Sequence, residues 1–357
     1  MRVESLQLNN FRSYSRFELN FEPGVHFFYG KNGAGKTNLL EALYFAGFGK
    51  SFRTRDDKDL IQWGQESAQI EVKFVRSEVQ HRIGVDILGR TKRFSLNQLE
   101  ISRRELIGEL MVVLFTPDDL HLIKGAPAQR RSFIDSELSQ GSRSYFRSLL
   151  QYHRTLRQRN GLLRLEKERG GNGKELDPWD LQLAHLAEEL VEKRRKSIQK
   201  MSNEANLFYH KIAGKEEEFQ IDYLPLGKEE GEEFSQEIFL KMLFDNRRQD
   251  IDRCFTSIGP HRDDIRFLLN GRDMRRFSSQ GQQRTSIVAL KLGEIEFLYQ
   301  EKGQYPILLL DDLLGELDMD RRNALIGHVQ DKIQTFITGT EEISSFDCRY
   351  HQIARGE

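Results

Sequence analysis

GKNGAGKT at 30–37 has the spacing of a phosphate-binding loop, glycine and four residues followed by Gly-Lys-Thr. Gly30, Gly33 and Gly35 let backbone N–H groups turn toward an anion where a side chain would clash. Lys31, Asn32 and Ala34 complete that cradle, and the helix that follows aims its positive end at the same charge. Lys36 is expected to reach the β- and γ-phosphates of a nucleotide, and Thr37 to hold Mg²⁺. Near the other end of the chain, ILLLDD at 307–312 is an apolar strand closed by two acids. Such a strand can end in Asp merely to cap a helix. Beside a phosphate loop, it instead places Asp311 to hold Mg²⁺ through water and Asp312 to orient or activate the attacking water. ATP and Mg²⁺ are the cofactors these residues imply.

A third string, SQGQ at 279–282, begins a helix about thirty residues before that strand. Ser279, Gly281 and Gln282, with the amides of a helix N-terminus, suit a phosphate; they also suit a plain polar cap. One chain already has a loop for its own phosphate. A second copy resolves the conflict, with each signature loop completing the other's nucleotide site.

The elements that position these groups follow from periodicity. Residues 2–29 alternate apolar and polar in three strands, the last feeding the glycine-rich loop, and a helix follows over 35–47. AQIEVKFV, HRIGVDI and KRFSLNQLEI form an antiparallel β patch, and MVVLF at 111–115 is a buried strand. From Pro127 the spacing turns helical. One helix over 127–168 and another over 179–213, joined by RGGNGKELDP, read as a hairpin arm. A strand over 218–225, an acidic turn around KEEGEE (228–233) and a helix to about 253 come next. The loop GPHRDD (259–264), the strand IRFLLN, a helix over 281–300 and a strand over 306–310 return to the nucleotide core. The expected fold is therefore α/β, with head segments at 1–125 and 256–357 around a mainly helical insertion at 126–255.

Composition sets the outer limits. The 357 residues carry a net charge of −1, with 38% hydrophobic and 31% charged residues, so any nucleic-acid surface must be a local patch. Two cysteines without CxxC spacing suggest reduced thiols. Without a leader or a long apolar run, a cytoplasmic protein with no membrane association is expected.

Taken together, these strings resemble the ABC-type ATPase heads of the SMC class, and most closely the RecF family. SQGQ stands where the ABC signature would be, and Gly315-Glu316-Leu317-Asp318 where the D-loop would be. PDDLHLIKGAPAQRRSFID (117–135), FRTRDDKDLI (52–61) and GPHRDD are similar to family strings, so the likeness runs from residue 12 to about 340. The resemblance implies an ATP-dependent homodimer that binds double-stranded and gapped or junction DNA. With RecO and RecR as partners, it would help load RecA. Three departures stand out. Asp312 replaces the usual glutamate, which implies slow hydrolysis used as a timer. FITGTE (336–341) offers Thr340 in place of the histidine that senses the γ-phosphate. No Q-loop glutamine can be placed.

Arg12, with Arg53 and Arg55, is expected near nucleotide or phosphate. For DNA, the candidate arginines are Arg130, Arg131, Arg154, Arg157, Arg159 and Arg194, with Arg154 and Arg157 on one helix face. They would contact backbone and shape, with steep salt dependence. The competing readings are a transporter ATPase subunit, which the long insertion disfavours, and a short SMC-like tether, which would need a longer heptad arm. A nuclease would need a second acidic cluster.

Overall fold

The computed structural model describes residues 1–225, 234–340 and 347–354; the KEEGEE tract lies outside the described residues, as does Glu341. The chain starts with β1 (Arg2–Phe11), β2 (Tyr14–Asn20) and β3 (Val25–Tyr29), then the glycine-rich loop and α1 (Lys36–Phe48). β4 (Ser67–Arg76), β5 (Val79–Leu88), β6 (Thr91–Leu96) and β7 (Leu99–Ile101) follow, then a short α2 (Arg103–Leu106) and β8 (Val112–Phe115). The helical stretch contains α3 (His121–Lys124), α4 (Pro127–Gly141), α5 (Arg143–Arg169) and α6 (Asp177–Ala213). After β9 (Phe219–Leu224) come α7 (Gln236–Asp245), α8 (Arg247–Arg253), β10 (Asp264–Leu269), β11 (Arg272–Asp273) and α9 (Met274–Phe277). The chain closes with α10 (Gln280–Lys302), β12 (Ile307–Leu310), α11 (Met319–Val329), β13 (Thr335–Gly339) and β14 (Arg349–Gln352).

Three sheets organise these elements. The antiparallel sheet has the order β2-β1-β4-β5-β6-β7, and its strands alternate buried and exposed residues because one face packs on α1. The second sheet, β14-β3-β13-β12-β8, is parallel throughout. Its central strands are buried on both faces, which explains the unbroken apolar runs VHFF and ILLL. This sheet unites both ends of the chain. β3 feeds the phosphate loop, and β12, two places away across β13, ends at Asp311. This is an α/β ABC-type head with an antiparallel β patch and a helical insertion. No helix among the described residues is long and apolar enough to cross a membrane.

The insertion departs from a two-helix arm. Its first helix breaks at Ser142, whose backbone is extended (φ −142°) and whose side chain accepts a hydrogen bond from Tyr145 N to restart the helix as α5. α6 runs 37 residues, about 55 Å at the usual rise. Its apolar face (Leu186, Leu190, Val191, Ile198) shares one core with Ile287, Leu292 and Ile295 of α10. The hairpin is thus packed along the helix that SQGQ begins. A small sheet, β11-β10-β9, closes the far side.

Buried ion pairs fasten the insertion, and they correct three of the expected DNA contacts, Arg130, Arg159 and Arg194. Arg130 is fully buried, forked onto Asp264 (Nε to Oδ1 2.7 Å, Nη2 to Oδ2 3.0 Å) and donating to the carbonyls of Leu122 and Gly125. Arg131 is half-buried and donates to the Asp263 carbonyl at 2.7 Å. Arg194 donates to Tyr145 Oη, the Pro260 carbonyl, Asp135 and Asp263. Arg159 lies between Asp180 (2.6 Å) and Asp250 (2.8 Å), all three fully buried. A DNA backbone cannot reach the guanidinium groups of Arg130, Arg159 and Arg194 as they are placed, because carboxylates and carbonyls of their own chain have taken them out of water. His261 belongs to the same lock through Tyr152 Oη (2.8 Å) and the Thr256 carbonyl (3.1 Å). Thus RRSFID and GPHRDD, far apart in sequence, form one internal joint. Arg154 and Arg157 remain exposed on α5.

Removing one member of a buried pair leaves an uncompensated charge. Arg159→Ala should therefore lower unfolding free energy by about 3–5 kcal/mol, whereas Arg154→Glu should stay within about 0.5 kcal/mol. Urea denaturation of both variants checks this, and equal losses would contradict the assignment.

Candidate nucleotide site

The phosphate loop leaves β3 and closes at α1. Gly30 (φ 151°) cannot carry a side chain, since a Cβ would stand 2.4 Å from the Ile353 carbonyl, just beyond β14. At Gly35 (φ 111°) a Cβ would meet Ser13 Oγ at 2.8 Å. Lys36 is buried and its ammonium donates to the carbonyls of Gly30 (2.7 Å) and Lys31 (3.0 Å). A cavity of about 300 Å³ opens above the loop, lined by Asn32, Gly33, Lys36, Thr37, Arg53 and Asp312 among others.

Thr37 and Asp311 meet directly. The Thr37 hydroxyl donates to Asp311 Oδ1 at 2.8 Å, and Thr338 Oγ1 of β13 donates to the same oxygen at 2.9 Å. Thr338 also accepts from the Asp312 amide at 2.9 Å. That bond, with Asp312 in the left-handed region (φ 48°), turns the chain off the strand end and leaves the Asp312 side chain exposed over the cavity. Burial pushes the Asp311 carboxyl above its ordinary value, the nearby Asp312 charge adds to this, and the two threonine donors and Arg53 oppose it.

These groups fit a nucleotide with its metal. The loop supplies close-approach glycines and amides, and Lys36 supplies a cation. Mg²⁺ is usually held by one or two protein oxygens with phosphates and water completing its shell. Thr37 and Asp311 are such a pair, and among the described residues no cluster of three or more His, Cys, Asp or Glu offers an all-protein cage.

Other predicted residues stand elsewhere. Arg12 does not line the cavity. Its guanidinium is forked onto buried Glu41 of α1 (2.8 and 2.6 Å) and donates to the Asp59 carbonyl. Glu41 in turn accepts from Arg53 (3.3 Å), which also bonds Asn38 and reaches the cavity. Arg12 therefore braces the group that holds Arg53. Thr340 is exposed one residue beyond β13; the threonine joined to the acids is Thr338, which FITGTE could have suggested because its position ends the strand beside ILLL.

Ser279 caps α10 in a reciprocal box: its Oγ accepts from Gln282 N (3.2 Å) and its own N donates to Gln282 Oε1 (2.8 Å). The Gln282 amide nitrogen also donates to Glu217. Neither Ser279 nor Gly281 lines the phosphate-loop cavity. The signature is instead braced to the D-loop segment. Arg321 donates to the Gly281 carbonyl (3.0 Å) and pairs with Asp318, and Arg284 pairs with Glu316 at 3.2 Å. Phe277 and Met319 beside these groups are exposed. Arg284 and Arg321 carried no motif signal of their own. A neighbouring cavity of about 640 Å³ shares Arg53 and Asp312 with the first and is lined by Asp118, His121 and Gln129, all from the PDDLHLIKGAPAQRRSFID string, for which sequence alone indicated no nucleotide-site role.

The profile described as "RecF/RecN/SMC N terminal domain" matches residues 2–347. The DNA replication and repair protein RecF of Natranaerobius thermophilus is 40% identical over 352 residues, covering 95% of this chain and 91% of that protein. The chain belongs to the RecF family. RecF of Listeria innocua is 41% identical over 345 residues, covering 95% and 93% of the two chains. Among solved structures, the recombination mediator protein RecF with ATP, from the RecFOR pathway, superposes with a TM-score of 0.92 at 32% identity, covering 100% of this chain and 96% of that one. The Smc head domain of Pyrococcus furiosus bound to part of ScpA (TM-score 0.54, 17% identity, 95% and 90% coverage) shares the fold.

A raised carboxyl pKa means that the folded state binds the Asp311 proton more tightly than the unfolded chain, so this site stabilises the fold as pH falls through that range. Asp311→Asn, neutral and still able to accept from both threonines, should keep or raise the nucleotide-free Tm. A thermal melt showing a loss of several degrees would contradict the burial account.

Proposed function

We propose that this protein is an ATP-dependent, dimerising DNA-binding protein of recombinational repair in the cytoplasm, acting at gapped or single/double-strand junction DNA with RecO and RecR to help load RecA. One observation carries the reading. Within one chain the phosphate loop, Thr37, Asp311 and Asp312 converge, while Ser279 and the D-loop stand together on an exposed face outside that cavity. A second copy bringing that face over the first copy's nucleotide completes two equivalent sites around a two-fold axis. The braces from Arg321 and Arg284 keep the signature and D-loop rigid for that docking, and Phe277 and Met319 give it apolar area.

In this reading Lys36 and the loop amides bind the phosphates, Thr37 and Asp311 hold Mg²⁺, and Asp312 orients the attacking water. Mg²⁺ supplies charge neutralisation when bound. The shorter acid at 312 supports slow, DNA-stimulated hydrolysis that times dissociation of the dimer. The relatives' RecF names and the ATP-bound RecF structure support ATP, repair and the RecFOR partners.

Lys36→Ala should abolish nucleotide binding. Ser279→Arg should bind ATP as a monomer yet fail to dimerise in sedimentation with ATP. Binding of gapped duplex should follow the dimer, strong with ATP and weak with ADP or none; a Ser279→Arg protein that still dimerises would overturn the composite site.

A further inference from the structure

Outside the nucleotide site, one cavity has an unusual wall. It holds about 490 Å³ where α2, α5 and α6 meet, and its lining carries Arg104, Arg147 and Arg154, Trp179, Leu150 and several glutamines, with no acid. The α5 residues recur at helical spacing (147, 150, 151, 154, 158), so they form one stripe, and Trp179 with Gln182 lines it from α6. Among the described residues, no carboxylate pairs with any of the three arginines. Arg159 and Arg194, on the same two helices, are instead buried against acids. Three unpaired cations around a half-buried indole are therefore set apart from the arginine network that holds the fold together.

We propose that this cavity binds an unpaired nucleotide of a DNA single strand, its base against Trp179 and its flanking phosphates on Arg104, Arg147 and Arg154. A flat apolar ring and unpaired guanidinium groups are what a splayed base with its phosphodiester requires. The size also fits: pockets of about 300–1,000 Å³ enclose ligands on this scale. A duplex presents stacked, inaccessible bases and would use the arginines alone. The glutamines supply donors and acceptors without charge, so recognition tolerates any base. The cavity is tied to the phosphate-loop helix, since Arg103, next to Arg104, donates to the Phe48 carbonyl at the end of α1 (3.0 Å). This inference rests on reading the chain as a DNA-binding protein and places the strand side of a gap on the insertion.

The sequence contains two tryptophans, and Trp63 is almost fully exposed. In a Trp63→Phe protein, Trp179 is the sole indole, so its emission reports on the cavity. A short oligothymidylate, added at low salt without ATP, should quench that emission. Anisotropy of the labelled oligomer should show about tenfold weaker binding for Trp179→Leu. The double variant Arg147→Ala/Arg154→Ala should weaken it similarly and flatten its salt dependence; these side chains are exposed, and circular dichroism verifies the fold. Absence of quenching overturns the site. So does equal quenching by a blunt duplex, by ATP or thymidine monophosphate at matched concentration, or by an acidic peptide, which would indicate a duplex, mononucleotide or protein ligand instead. If Trp179→Leu still binds gapped duplex with ATP but has lost nothing on the single strand, this inference fails and the proposed function stands. If quenching occurs but ATP never yields a dimer, the reverse holds.

Discussion

One carboxylate oxygen joins the two ends of this protein. Asp311 Oδ1 accepts from Thr37, at the start of α1, and from Thr338, at the end of β13. The parallel sheet exists in a form that makes this meeting possible: β3 delivers the loop, β12 delivers the acids, and β13 lies between them. Everything inserted between these strands must leave that sheet and return to it without disturbing the register. Burial holds this carboxyl's pKa above its ordinary value, so a metal cation at this point would relieve a cost already present in the fold.

The insertion meets that demand with packing and charge. α6 lies along α10, whose first residues are the signature loop, so the helical hairpin and that helix share one packed core. The buried arginines pin the base of the hairpin to the loop before β10, through Asp263 and Asp264. Buried ion pairs are weak contributors to net stability when compared with apolar replacements, but they tolerate few alternative arrangements. If, as proposed, the signature loop docks on a second subunit, it needs that definition more than it needs extra stability.

Much of this was legible in the sequence. The strand, loop and helix at 25–48 were readable because the phosphate loop has fixed spacing, and the antiparallel patch because its strands alternate. Ser142 escaped notice as a helix break because it is neither a glycine nor a proline, and a polar side chain restarting a helix looks like any solvated residue. The roles of Arg130, Arg159 and Arg194 were misread for a related reason. Sequence spacing shows that an arginine is on a helix but not which carboxylate, 134 residues away in the case of Arg130, comes to meet it. Thr338 was one position pair from the threonine singled out, and strand alternation puts 338 and 340 on one face; only pairing with β12 separates the one beside Asp311 from the one beyond the sheet.

The central claim is that each nucleotide site draws its phosphate loop from one copy and its signature from another. Mixing two inactive proteins tests it most directly. Lys36→Ala keeps an intact signature and Ser279→Arg keeps an intact phosphate loop, so a mixed dimer contains one complete site and one doubly impaired site. ATP turnover in the equimolar mixture, measured against each variant alone, should return to a substantial fraction of the native rate. A mixture as inactive as its two components would contradict the account.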